Sequence, residues 1–185
     1  MMAFFLNIIA VFYAVKQKLE NWVISIMAVI PLLVIFYEKK LYGQFSVQIF
    51  FLVYSLYGLY DWDKHRKSKN TTIVYIREFD DKFFFTKFFI ITIGSAIVLN
   101  KFGMPSWVLL DYLIVFYSII ATFLLAKRYI ENWYLWLVVD ICSIALFFHS
   151  KLELIGILYL ILLGLAMEGL GQWSKDLKNQ ESIKL

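Results

Sequence analysis

The sequence predicts an all-α integral membrane protein of seven transmembrane helices, on three observations. Hydrophobic residues make up 62% of the 185 and charged residues 17%, against roughly 45–50% and 25% in a soluble domain. The apolar residues stand in continuous runs, and mean hydropathy is +0.72. A helix is the form in which such a run crosses lipid, because it satisfies every backbone amide internally. The roughly ten-residue apolar/polar alternation of a transmembrane barrel strand is absent.

The spans read approximately 2–16, 21–37, 41–62, 84–100, 106–126, 130–148 and 152–173. The first has no positive n-region and no small-residue cleavage site, so it reads as a span, not a signal peptide. Spans two and six open on Glu20-Asn21 and Glu131-Asn132, residue types that suit a helix N-terminus and read as structural. Span three ends at "YDW", span four at "LNK", and span five follows "FGMP". Span seven closes on "EGLGQW". The connections are short and basic or polar except 63–82, which is basic and more suited to anionic lipid headgroups than to nucleic acid.

Lys and Arg fix the expected orientation. The loops after spans one, three and five, with the C-terminal tail, hold thirteen, and the opposite side holds Lys39, Lys40, Lys101 and Lys151. The N-terminus is therefore expected outside and the C-terminus in the cytoplasm. Trp22, Trp62, Trp107, Trp133 and Trp173 fall at span ends, where an aromatic belt is expected.

Sliding the chain by 111 residues lays 16–64 onto 127–175 without gaps, with 13 of 49 positions identical. The identities include Glu20/Glu131, Asn21/Asn132, Trp22/Trp133, Gly58/Gly169 and Trp62/Trp173, which shared apolar composition does not explain. Both copies point the same way, so the expected plan is a parallel 3+1+3 repeat. The chain then divides into 1–64 (first three-helix repeat), 65–105 (cytosolic loop and linker helix) and 106–185 (second repeat and short tail). Parallel repeats about the membrane normal are a transporter architecture, with substrate held between the halves near the midplane.

Polar residues inside spans point to the expected site. An acid at a helix centre costs about 2.5–3.5 kcal/mol on insertion scales, so such acids usually face a cavity. Trp133, Trp136 and Asp140 stand at i, i+3 and i+7 on one helix face. Gln48, Ser55, Tyr54 and Tyr57 are the weaker candidates of span three, and Glu168 is a second acid in span seven. Such a set suits a flat, cationic aromatic ligand, since indole faces attract cations by roughly 0.5–2 kcal/mol each. The blander readings are specific. Trp133 also suits an interfacial anchor like its mate Trp22, Glu168 a solvated position near the cytoplasmic interface, and Gln48 a bond to another helix. Trp136 and Asp140 have no such reading, because their mates are Ser25 and Val29. Asp111, nearer a membrane edge, suits capping or pairing.

Catalysis is not expected. The chain has no G-x-S-x-G, no H-E-x-x-H and no glycine-rich phosphate loop. Cys142 stands alone, which excludes an intrachain disulfide and a thiolate metal site. His65 and His149 lie apart at span ends and suggest no metal, and no cofactor is expected.

"LYGQFSVQIFFLVYSLYGLYDW" (41–62), "AKRYIENWYLWLVVDICSIALFF" (126–148) and "EGLGQW" together resemble the PnuC-type vitamin transporters of bacteria. The resemblance covers essentially the whole chain, and the ENWxxW and YGxYxW elements carry it. It implies a SWEET-like 3+1+3 fold in the bacterial inner membrane, a homotrimer, and downhill uptake of nicotinamide riboside trapped by cytoplasmic phosphorylation. It also implies that Trp133 and Trp136 stack on the ligand ring, with Gln48 and position 140 in hydrogen-bond contact. The family's riboside members tend to carry Asn at the positions of Asp140 and Glu168, and a longer amide at Ser55. Thiamine, the cargo of another branch, is therefore the competing ligand.

Overall fold

In a computed structural model, residues 2–38, 40, 42–69, 84–103 and 105–182 are described. They form seven helices: α1 (Met2–Val15), α2 (Glu20–Glu38), α3 (Tyr42–Lys69), α4 (Phe84–Lys101), α5 (Ser106–Ala126), α6 (Asn132–His149) and α7 (Glu153–Ser182). Packing follows the order α1, α2, α3, α5, α6, α7 and back to α1, which closes a ring of six helices. Among the described residues α4 packs on α5 alone, outside the ring.

Each ring helix turns one stripe outward and one inward. On α2, Val23, Met27, Ile30 and Val34 are exposed, while Trp22, Ala28 and Val29 are buried. Large apolar side chains on the outside are the reverse of a soluble protein and suit a lipid surround. Among the described residues α2, α6 and Glu153–Gln180 of α7 are long and apolar enough to cross a membrane. Phe5–Val15 and Leu110–Ala126 are shorter apolar helices.

Helices α3 and α7 outrun their expected ends, reaching Lys69 and Ser182. Charge ends a bilayer crossing but does not end a helix, and pairs such as Lys67 Nζ to Asp63 Oδ2 at 2.6 Å run along the extension of α3. The domain boundary expected after residue 64 thus falls inside α3, and the rest of the 63–82 loop, from 70 on, lies outside the described residues.

The turns after α1 and α5 share one geometry. Gln17 and Arg128 take positive φ, 54° and 66°. Gln17 N–H donates to Ala14 O at 3.0 Å and Lys18 N–H to Tyr13 O at 2.9 Å, and Arg128 and Tyr129 repeat the pattern at 2.9 Å each to Leu125 and Leu124. This is the Schellman cap, usually given to glycine. Lys40 and Lys151, at φ 57° each, likewise end α2 and α6. The side chains of Glu131 and Asn132 do not cap α6: Glu131 makes no capping bond, and Asn132 is buried with its Nδ2 donating to Tyr129 O at 2.6 Å. Its role is to lock the turn.

The aromatic belt needs correcting. Trp22, Trp62, Trp133 and Trp173 are at most 2% exposed and sit in one core cluster. Trp22 meets Trp62 edge-on at 5.3 Å, Trp133 meets Trp173 edge-on at 5.5 Å, and Trp62 and Trp173 join the pairs at 6.1 Å. Such edge contacts are favoured by the ring quadrupole. Glycines make the room, because a Cβ on Gly58 would stand 2.5 Å from the Trp22 ring and one on Gly169 2.6 Å from that of Trp133. Only Trp107 of the five is exposed, at 53%, and it stacks on His149 at 5.8 Å.

Candidate functional site

The ring encloses a cavity of about 320 Å³ lined by residues from all six of its helices. Helix periodicity decides which side chains reach it. On α6 the i, i+3, i+7 set Trp133, Trp136 and Asp140 lines one wall, and Asp140 is 3% exposed. On α3 the wall is Gln48, Phe51 and Ser55, again at i, i+3 and i+7.

Five of the eight expected residues therefore come together: Trp133, Trp136, Asp140, Gln48 and Ser55. The other three stand elsewhere. Tyr57, nine residues beyond Gln48, has turned half-way round α3; its hydroxyl accepts a hydrogen bond from Lys127, whose ammonium also lies 4.6 Å from the ring centroid. Tyr54 packs against Phe50 at 4.4 Å and Phe123 at 5.8 Å. Glu168 is exposed and outside the cavity lining, because two residues past the lining Ala166 a helix has turned through more than half a circle. Asp111 is also exposed.

Sequence reasoning missed further polar residues of the lining. Asn7 of α1, Asn21 and Ser25 of α2, Ser118 and Thr122 of α5, and Tyr159 of α7 also line the cavity. Serine and threonine hydroxyls barely dent a hydropathy profile. The signal that marks Asn21 and Ser25 is their 111-residue offset from Asn132 and Trp136. Ser118 and Thr122 spend a bond on their own helix, each hydroxyl donating 2.7 Å to the carbonyl four residues back.

The cavity is thus polarised. One wall carries two indoles and a carboxylate, and the facing α1–α3 wall carries amides and hydroxyls. No Lys, Arg or His is among the described lining residues, and Asp140 is the one carboxylic acid among them. A cationic ring is attracted to the α6 wall both by the indole faces and by the acid. An anionic group would meet the carboxyl of Asp140 and no cationic side chain among the described lining residues. Among the described residues no group of three His, Cys, Asp or Glu is arranged to hold a metal ion.

Comparison with known proteins agrees with this architecture. The sequence pattern of a family described as Nicotinamide mononucleotide transporter matches residues 1–175. The nicotinamide riboside transporter PnuC of Escherichia coli (strain K12) is 23% identical over 199 residues, covering 91% of this chain and 82% of that protein. The protein of the same name from Neisseria mucosa is 27% identical over 192 residues, covering 93% and 70%. A crystal structure of the vitamin B3 transporter PnuC superposes with a TM-score of 0.72 at 23% identity, over 96% of this chain and 81% of that one. That likeness carries the seven-helix fold. The family pattern, spanning nearly the whole chain, carries more: this protein belongs to the nicotinamide mononucleotide transporter family.

Proposed function

We propose that this protein carries nicotinamide riboside across the bacterial inner membrane by facilitated diffusion, the cargo then being trapped by phosphorylation in the cytoplasm. The observation that carries the reading is the cavity wall that joins Trp133, Trp136 and Asp140 with no cationic side chain among the described lining residues. A pyridinium ring suits that wall, and a ribose suits the facing Asn7, Asn21, Ser25, Gln48 and Ser55. The same absence of a lining cation favours the riboside over the mononucleotide, whose phosphate would be desolvated beside a carboxylate without compensation. The names of the relatives support the riboside as cargo.

Transport proceeds by rocking of two halves, α1–α3 and α5–α7, related as a parallel 3+1+3 repeat with α4 as linker. Support comes from the features that recur at a spacing of 111: the left-handed turns at Gln17 and Arg128, and the Trp-over-Gly contacts at Trp22/Gly58 and Trp133/Gly169. The N-terminus lies outside and the C-terminus in the cytoplasm on the Lys and Arg count. The functional particle is a homotrimer, measurable by light scattering of the purified protein.

Calorimetric titration of nicotinamide riboside and thiamine, side by side, tests the cargo. Tight binding of the riboside alone is expected. Tight binding of thiamine alone would assign the cavity to the other vitamin, and binding of neither would leave the scaffold with another cargo.

A further inference from the structure

The ring has two seams between its halves, α1 against α7 and α3 against α5, and each is fastened by a side chain that reaches across from a turn. From the turn after α5, Arg128 Nη2 lies 3.0 Å from Asp61 Oδ2 and 3.0 Å from His65 Nε2, both on α3. Lys127 adds its bond to Tyr57, and Tyr54 packs against Phe123 across the same seam. From the turn after α1, Gln17 Nε2 donates to Asp176 Oδ2 of α7 at 2.6 Å. There Trp173 Nε1 shares its hydrogen between Ala14 O and Val15 O, at 3.2 and 3.3 Å. Both fastenings lie at the end of the cavity that the tryptophan cluster closes.

Turn chemistry alone does not call for these residues. A Schellman cap is cheapest with glycine in the left-handed position, yet positions 17 and 128 carry long polar side chains, 4% and 2% exposed. Their use is at the seams, and the seams are unequal. Parting a buried guanidinium from its carboxylate leaves an uncompensated charge, whereas parting an amide from a carboxylate loses one hydrogen bond whose partners water can replace.

We propose that the cavity opens toward the tryptophan end at the α1–α7 seam, and that the Arg128–Asp61 seam stays shut as the pivot. Gln17 and Asp176 are the residues that release, and Arg128 and Asp61 the ones that hold. The proposal rests on the rocking of two halves but not on the identity of the cargo.

The experiment reads access to the cavity directly. A reporter thiol, Ala10→Cys on a Cys142→Ser background, is labelled by a membrane-impermeant reagent supplied to the tryptophan end of the full chain in sealed vesicles. Gln17→Arg, in a turn whose counterpart already holds an arginine, gives the weak seam an ion pair; labelling is expected to slow at least tenfold, and Asp176→Asn in the same chain to restore it. Gln17→Ala, which removes the donor and serves also if the arginine variant does not fold, is expected to speed labelling about threefold or more. The pair Arg128→Gln and Asp61→Asn is expected to stay within about threefold of the parent. Parent-like labelling of both position-17 variants overturns the proposal, as does a tenfold acceleration in the Arg128/Asp61 pair. A parent thiol that is never labelled from that end overturns the rocking reading, and the proposal with it.

Discussion

Helices α2 and α6 begin alike and part company after one turn. Each follows a left-handed turn, buries an asparagine (Asn21, Asn132), and lays a tryptophan over a glycine of a partner helix (Trp22 over Gly58, Trp133 over Gly169). One turn further on, Ser25 lines the cavity from α2 and Trp136 from α6, and then Val29 stands against Asp140. The shared beginnings hold the helices together, and the divergent continuations make the two cavity walls differ. The cavity lining draws on both kinds of residue, since the duplicated Asn21, Trp22 and Trp133 line it beside the unmatched Ser25, Trp136 and Asp140.

The largest test of that contrast is Asp140→Ala, which removes the whole polar group. A bond to a charged group contributes about 1.5–3 kcal/mol, so the affinity for nicotinamide riboside is expected to fall by roughly 10–100-fold with thermal stability kept, as read by calorimetry. Undiminished affinity would remove the acid from the site. On the duplicated side, Gly58→Ala and Gly169→Ala each drive a Cβ into an indole, and overpacking of this kind costs about 1–3 kcal/mol. Both are expected to lower the melting temperature by similar amounts, and a large drop in one alone would break the equivalence of the two ends. Trp136→Ala removes one indole face, which contributes about 0.5–2 kcal/mol, so the riboside is expected to bind roughly 3–30-fold more weakly with little change in melting temperature. Smallest of all, Glu168→Gln is expected to leave affinity within about twofold, because the residue lies outside the cavity; a larger loss would bring α7's outer face into the binding reaction.

How much of this was legible depended on whether the signal was local. Helix positions followed from hydropathy, and the α6 face from the spacing of Trp133, Trp136 and Asp140. The structure differs from the sequence reading in direction and depth. Tyr54 and Tyr57 looked like companions of Gln48 because polar residues in a span attract notice, yet a count of turns along α3 puts Tyr57 opposite. Trp22, Trp62 and Trp173 read as interfacial anchors because a tryptophan near a charged loop usually is one, and the glycine that admits the Trp22 ring, Gly58, lies 36 residues away on α3. Least legible were the seams. Nothing near Gln17 in the chain announces Asp176, and only the closing of the ring brings them together.

That closing sets an order on the making of the protein. Of the seven helices α1 is synthesised before the others and its ring neighbour α7 after them, so the bonds from Trp173 to Ala14 and Val15 join the first and last helices of the ring. Until α7 has entered the membrane, α1 lacks one of its two neighbours and the cavity lacks the wall that carries Tyr159. Chains cut short within α7 would leave the ribosome with their other helices made and no enclosed chamber, and quality control would meet them as open bundles.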